Sequence, residues 1–164
     1  EEFAEKGYNY ASYSLSFIAP LGLAESVATT LNKQEFDEDV WQFGQGLTFE
    51  PQNYIHDTTR FKINNIGTVA IDPRKVPLKI TVLGATKNLQ IINHTNGDKW
   101  IYKGSTTSND KIILDGIYAY KNNKNIFADT NKQLITLEKG KNDIEIKGAT
   151  SSVMTTFEHR FYYY

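Results

Sequence analysis

From Thr58 to the C-terminus, apolar and polar residues alternate with a period of two, and turn-forming residues interrupt the alternation at short intervals. Leu78, Ile80 and Val82, for example, alternate with lysine and threonine. Successive side chains of a β-strand point to opposite faces, so this pattern is typical of strands with one buried face. Regularly spaced short strands of this kind predict an all-β, antiparallel sandwich or barrel.

The residues between the alternating runs indicate where strands end. Asn96-Gly97 between two apolar runs is a strong hairpin signal, because both residues tolerate the backbone of a tight turn. Asp72-Pro73, Gly84 and Gly104 mark further breaks. Beyond Thr58 the sequence predicts strands at 61–63, 69–71, 78–82, 89–93, 99–103, 111–115, 125–128, 133–137 and 143–147, and a final strand from Val153 toward Tyr164.

The first third of the chain has a different character. Residues 8–18 also alternate and predict a strand. Residues 21–51 show no period of two, and the acidic residues 37–39 ahead of an apolar run and Gly44 fit a short helix or an irregular connector. We predict a terminal strand in 1–20, a partly helical linker in 21–57 that packs through Trp41 and Phe43, and a sandwich in 58–164.

Composition excludes several classes of protein. The 164 residues include no cysteine, which excludes disulfides and thiolate metal sites. Acidic and basic residues are interspersed at a net charge of −1, so nucleic-acid binding is not expected. No apolar run approaches the length that spans a bilayer, so membrane insertion is not expected. Ten Tyr and nine Phe favour a pleated, half-buried architecture.

The sequence contains none of the short motifs that bind phosphate, zinc or calcium or that carry a nucleophilic serine. His56, His94 and His159 share no metal-ligand spacing, and we interpret them as surface or hydrogen-bonded side chains. The run Asp37-Glu38-Asp39 can bind a cation or a basic partner, although a solvated face or a helix start is the simpler interpretation. A carboxylate pair assembled only by the fold stays open. We predict a non-enzymatic protein without cofactor or metal.

The candidate contact residues are four aromatic side chains, Trp100, Tyr102, Tyr118 and Tyr120, on neighbouring predicted strands. On a sandwich they can form a flat stacking platform for a glycan or a partner, since aromatic rings combine apolar faces with polar tips. The structural alternative is that Trp100 and Tyr102, two apart on one strand, fill one face of the core.

The C-terminal run 157–164 is rich in aromatic residues. Phe157, Phe161 and Tyr163 point to one side of an ideal strand. A loose aromatic tail promotes association, so we expect this strand to end inside the sheet rather than in solvent.

Several short runs carry a family resemblance through their order and spacing. They are YASYSLSF at 10–17, AES at 24–26, WQFGQGL at 41–47, IDPR at 71–74, DKWIY at 98–102, STTSND at 105–110, LDG at 114–116 with Tyr118, LITL at 134–137, KGKNDIEI at 139–146, GAT at 148–150 and FEHRFYYY at 157–164. Together they extend over nearly the whole chain, which resembles the C-terminal part of distal tail proteins from siphophages of Gram-positive hosts.

The resemblance implies a fold and an assembly. Family members have an N-terminal domain that closes a ring, usually hexameric, at the end of the tail tube, and an outward-facing galectin-like β-sandwich. Residues 1–18 would be the last strand of the ring-forming domain, the rest of which is absent. The expected fold is thus an all-β antiparallel β-sandwich, a galectin-like jelly roll, preceded by an N-terminal strand and a partly helical linker. No functional residue is carried over from the family.

The function that the resemblance implies is structural: a hub in the tail tip or baseplate of a phage or prophage, joining the tail tube to host-recognition parts. Its expected partners are tail-tip, tail-tube and receptor-binding proteins, and its location is the virion after assembly in the bacterial cytoplasm. The full-length protein is expected to form a homo-hexameric ring, and this chain alone to be monomeric. The alternative is a carbohydrate-binding module that contacts host cell-wall polysaccharide. A hydrolase of wall polymers has little support in the sequence.

Overall fold

The computed structural model describes residues 13–16, 18, 22–32 and 52–164, and their regular secondary structure is almost wholly antiparallel β-strand. The all-β antiparallel sandwich predicted from the sequence is confirmed. No helix among these residues has the length and apolar character needed to cross a membrane. The strands are β1 (Ala24–Glu25), β2 (Ile55–His56), β3 (Arg60–Asn65), β4 (Leu78–Asn93), β5 (Lys99–Ile101), β6 (Ser105–Thr106), β7 (Lys111–Asp115), β8 (Tyr118–Lys121), β9 (Lys124–Asn125), β10 (Gly140–His159) and β11 (Tyr162–Tyr163), with a 3-10 turn over Phe127–Asp129.

Two long strands, β4 and β10, form the centre of the fold. They are 16 and 20 residues long and pair with each other in antiparallel orientation. Ile80 lies opposite Phe157 near one end of the pair, and Ile91 lies opposite Ile146 near the other. The register shifts between Lys147 and Val153. An extra residue in one strand of a pair bends the strand, so this irregular stretch lets both strands turn a corner.

The corner divides the sheet into two layers that share β4 and β10. One layer has the order β2, β10, β4, β7, β8 and β9, while toward the other end β3 pairs with β10, and β5 and β6 pair with β4. Strands that pass from one layer to the other through a bulge are an established way to close a sandwich. The inner faces of both layers contribute side chains to one hydrophobic core.

Burial along β4 alternates as the sequence predicts, but its phase changes in the middle. Leu78, Ile80 and Val82 are buried before the corner, whereas Leu89 and Ile91 are buried after it. One additional residue moves every later side chain to the opposite face of a strand. The phase of β10 changes in the same way, since its buried side chains include Ile144, Ile146, Val153, Thr155 and Phe157.

Some predicted strand boundaries are wrong. Gly84 does not end a strand, because β4 continues through it and joins the predicted strands at 78–82 and 89–93. In the same way, β10 joins the predicted strand at 143–147 to the one that begins at Val153. The prediction of a strand at 125–128 is also wrong, since the 3-10 turn follows β9 there.

The predicted strands at 69–71 and 133–137 are reduced to one bridge between Ile71 and Leu137. The backbone groups of these two residues exchange hydrogen bonds of 2.8 and 2.9 Å. The next pair in this register would join Ile135 to Pro73. Because proline has no N–H to donate, the ladder stops at the bridge.

Residues 22–32 and the C-terminal stretch 157–163 are held together in a contact that we call the clasp. β1 pairs with β11, with Ala24 opposite Tyr163. The Phe161 N–H donates to the hydroxyl of Ser26 (3.0 Å), and the Thr30 hydroxyl donates to the Phe157 carbonyl (2.7 Å). Phe157, Phe161 and Tyr162 are buried, so the C-terminal aromatic run packs inside the structure up to that point. Its end does not lie inside the main sheet as predicted, since β11 pairs with β1 in a separate two-stranded sheet and Tyr164 is 91 % exposed.

The clasp is extended where the sequence predicts a partly helical linker. In the described part of 21–57 there is no helix, since Ala24–Glu25 is a strand and residues 30–31 form a turn. The predicted contacts of Trp41 and Phe43, the acidic run 37–39 and most of the predicted strand at 8–18 lie outside the described residues, and Tyr13–Ser16 form no strand.

Candidate functional site

Trp100 and Tyr102, two of the four aromatic residues proposed as a platform, are buried. Their exposed fractions are 2 % and 7 %. Trp100 lies on β5 opposite Ile91, where the inner face of the strand meets the core. The Tyr102 ring lies so close to Gly104 that a β-carbon at that position would meet it. The prediction of an exposed four-ring platform is therefore wrong for these two residues, which fill the core as the structural alternative predicts.

Tyr118 and Tyr120 remain on the outer face of β8. The exposed fraction of Tyr118 is 54 %, and Tyr120 is half-buried. Their ring centroids are 6.3 Å apart and the ring planes are tilted by 40°. The two-residue turn Gly116-Ile117 produces this arrangement, because it returns the chain beside β7 and places Tyr118 opposite Asp115. The two rings can contact a partner, but they form no flat continuous surface.

Tyr118 borders an open concavity of about 530 Å³ that we call the apolar groove. Three elements contribute to it: the turn before β8, the stretch from β9 through the 3-10 turn, and the extended segment that follows. Ile117, Tyr118 and Phe127 have exposed fractions of 47, 54 and 40 %. The remaining residues of the lining are Asn125, Ala128, Lys132 and Leu134.

Local hydrogen bonds hold Phe127 in its outward position. The Asn125 side-chain oxygen accepts the Phe127 N–H at 2.9 Å, and the Thr130 hydroxyl donates to the Phe127 carbonyl at 2.8 Å. Ile126 is buried on the other side of the chain and anchors the turn. Lys132 adopts a left-handed φ of 61°, and its N–H is 3.1 Å from the Thr130 hydroxyl. The groove wall is thus fixed by the backbone and not only by side-chain rotamers.

A much smaller cavity of about 10 Å³ adjoins the apolar groove and shares four of its residues. Its other walls include Ile80, Leu114 and Trp100, which belong to the core. Trp100 therefore contributes to the floor beneath the groove, although it is too deeply buried to stack on a ligand at the surface.

The apolar groove contains one charged side chain, that of Lys132, and no carboxylate. Its amide, Asn125, already uses its oxygen within the protein. The groove can therefore receive apolar groups and attract negative charge, but it offers few polar atoms for orienting a strongly hydrated ligand.

A second concavity, of about 470 Å³, is polar and lies beside the clasp. Ion pairs cross its lining: Arg160 with Glu25 at 2.9 Å and Lys79 with Glu158 at 3.9 Å. Since these charges are already paired with each other, this concavity has less to offer a charged ligand than the apolar groove.

The three histidines lie in separate surroundings and do not form a common site. His56 stacks on Phe61 with centroids 4.1 Å apart, and burial lowers its pKa. His94 lies 2.7 Å from a Glu145 carboxylate oxygen, and the hydrogen bond from His94 lowers the pKa of that carboxyl. His159 is buried in the clasp. Within 22–32 and 52–164, no group of three His, Asp or Glu side chains is arranged to hold a metal ion.

Sequence reasoning found Tyr118 but missed Ile117, Phe127, Lys132 and Leu134. Phe127 and Leu134 lie in predicted strands that the structure replaces with a 3-10 turn and an extended segment. The available signal was Ile117, an apolar residue in the turn beside Gly116, where a polar residue is usual.

No protein-family model matches the chain, and no curated protein matches it.

Proposed function

We propose that this chain is a docking domain of a phage or prophage tail tip, a distal tail protein-like hub that joins the tail tube to host-recognition parts. The proposal rests on the sequence resemblance, on the β-sandwich that such a resemblance implies, and on a surface suited to protein contact. In this proposal the domain acts without catalysis, is monomeric by itself and belongs to the virion.

The observation that carries the proposal is the exposed apolar groove on the outside of the sandwich. Ile117 and Tyr118 at the turn into β8 and Phe127 in the 3-10 turn meet at one concavity, each with at least 40 % of its surface exposed. Isolated apolar residues on a surface are ordinary, but contiguous apolar patches mark sites of interaction. In protein interfaces, aromatic and aliphatic anchors of this type supply most of the binding energy.

The second candidate function is glycan binding, which the exposed ring of Tyr118 beside Tyr120 favours. Burial of Trp100 and Tyr102 removes half of the aromatic set on which this interpretation depends. We therefore rank it below docking.

Localisation in phage particles tests the first proposal directly. Antibodies against the recombinant domain would be used for immunogold labelling of tailed particles purified from a strain that encodes the chain. We expect gold at the end of the tail distal to the capsid, and peptides of the chain in the mass spectrum of the same particles. Protein that is present in the lysate but missing from purified tailed particles would refute the assignment to the tail tip.

A further inference from the structure

The walls of the apolar groove distinguish between the classes of molecule that could occupy it. A sugar ring has an apolar face, but its hydroxyl groups must keep hydrogen bonds when they leave water. Ile117, Phe127 and Leu134 provide none, and the oxygen of Asn125 is already bonded to the Phe127 N–H. This leaves the Tyr118 hydroxyl, the Asn125 amide nitrogen and the Lys132 ammonium group as the polar groups of the side-chain lining, too few for the many hydroxyls of a sugar. An apolar side chain loses no hydrogen bond on entering such a groove. The lining therefore favours a protein anchor over a glycan.

The charge of the groove restricts the occupant further. Lys132 carries the one charge of the lining, and Lys124 lies next to Asn125 on β9 just outside it. Asp129 belongs to the same 3-10 turn but does not line the groove. A negative group placed beside the anchor gains an attraction to Lys132, whereas a positive group is repelled.

The volume of the groove also fits this kind of occupant. About 530 Å³ lies within the range of concavities that bury a compact ligand, and the concavity is open to solvent. Such a shape suits one large side chain on a segment that continues past the groove, rather than a folded domain pressed against it.

We propose that the apolar groove binds an extended segment of a partner protein, through one large apolar side chain that enters the groove and a carboxylate near it that pairs with Lys132. The inference rests on the proposed docking function, whose site it specifies. Affinity comes from the apolar anchor, and the choice among segments comes from the charge.

Synthetic peptides test both parts. The probes are short Gly/Ser peptides that carry one Leu, Phe or Trp and, two positions away, Asp, Asn or Lys, with binding followed by fluorescence anisotropy. We expect detectable binding only with the large apolar residue, and affinity in the order Asp, Asn, Lys. An exposed ion pair contributes up to about 1 kcal/mol, so each step should be about two- to fivefold.

Variants at the groove provide the controls. Lys132→Glu should reverse the preference between Asp and Lys peptides, while Lys124→Glu, the same charge change outside the groove, should leave the order intact. Phe127→Ser and Tyr118→Ser should each weaken the best peptide about tenfold, because loss of a central anchor typically costs more than 1 kcal/mol. Met154→Ser removes a comparably exposed apolar residue elsewhere and should have no effect. Unchanged melting temperatures would show that the variants fold.

Three outcomes would overturn the inference: no dependence on the apolar residue, an unchanged charge preference in Lys132→Glu, or binding of cell-wall polysaccharide fragments with no binding of peptides. The last outcome would identify a glycan site. Failure of the immunogold experiment with the peptide results intact would remove the tail-tip function and leave the groove as a peptide site. Labelled tails without peptide binding would refute the peptide-binding role of the groove and leave the tail-tip function intact.

Discussion

His159 lies in the least water-like environment of the three histidines, with 2 % of its surface exposed. Tyr54 and Phe161 meet its ring edge-on, and its Nδ1–H donates to the Arg160 carbonyl at 3.0 Å. Its Nε2 is buried without a hydrogen-bond partner among the described residues. Burial lowers the pKa of His159 from 6.5 to about 4, because a charged ring in this position would lose its hydration.

This pKa predicts a specific pH dependence of stability. The unfolded chain binds the proton first, so the free energy of unfolding is unaffected well above pH 6.5 and falls as the pH drops from about 6.5 to about 4. The loss should reach about 3 kcal/mol. Urea denaturation across this range measures it. His159→Phe cannot take up the proton and should lose most of this slope, while the contribution of His56, whose pKa is also lowered by burial, remains. The missing hydrogen bond should cost about 1 kcal/mol near neutral pH.

Asp110→Asn is the matched control. Asp110 accepts the Thr107 N–H and the Asn122 side-chain N–H, and these hydrogen bonds hold the pKa of its carboxyl well below the usual range. Its contribution to stability is lost only in stronger acid, below its ordinary pKa. The Asn variant should therefore keep the wild-type slope above about pH 4. A wild-type slope in His159→Phe would assign the effect to another group.

At the scale of the elements, the corner between the two layers depends on Gly148. Its φ is +85°, and a β-carbon there would meet the Lys87 carbonyl oxygen on β4. Gly97 has nearly the same φ, +82°, but a β-carbon there would meet nothing within 4 Å. Both substitutions by alanine incur the cost of a left-handed conformation, roughly 1 kcal/mol, and only Gly148→Ala adds a clash within the sheet.

We therefore expect Gly97→Ala to lower the free energy of unfolding by about 1 kcal/mol and Gly148→Ala by about 2–4 kcal/mol. Urea denaturation of the two variants side by side measures the difference between their free energies of unfolding. This difference is the cost of a β-carbon placed where β10 approaches β4. Equal losses of stability in the two variants would contradict this expectation, because they would show that β10 and β4 can move apart at Gly148 without an energetic cost.

The same elements show what the sequence could predict. Alternation identified β3, β4, β7 and β10, because side chains that point inward along a strand must be apolar whatever the topology. It could not show that Gly84 lies inside a strand, since glycine serves equally in turns and bulges. Alternation also predicted a strand at 133–137. It could not show that Pro73 faces this segment and stops the ladder, because that depends on the register of a long-range contact.

The candidate site was predictable only in part for the same reason. Tyr118 could be identified as a contact residue, whereas Trp100 could not be assigned to the core until the pairing of β5 with β4 was known. The convergence of Ile117, Phe127 and Leu134 on one groove requires three separate elements to meet. A pattern within a short stretch of sequence cannot predict such a long-range contact.

For the whole molecule, the clasp joins parts of the chain that are more than 120 residues apart. Thr30 is central to it and is 6 % exposed. Its hydroxyl donates to the Phe157 carbonyl at 2.7 Å and accepts the His159 N–H at 3.2 Å, while its own N–H donates to the His159 carbonyl at 2.9 Å. One threonine thus supplies the hydrogen bonds for several backbone groups at the end of β10.

Thr30→Val keeps the size of the side chain but leaves two buried backbone groups without partners. We expect the free energy of unfolding to fall by about 2–3 kcal/mol, and the His159 amide to exchange its hydrogen faster than amides in the middle of β4. Thr29→Val is the neighbouring control, because the Thr29 hydroxyl contacts only exposed groups around Asn32, and its effect should stay within about 0.5 kcal/mol. Urea denaturation and native-state hydrogen exchange measure the two effects. Equal losses in both variants would show that the buried hydrogen bonds of Thr30 add no more stability than the exposed ones of Thr29. Exchange that accelerates uniformly along β4 and β10 would show that the clasp opens only with global unfolding. Selective acceleration at His159 would make it a local contact that can release residues 22–32 while the sandwich stays folded.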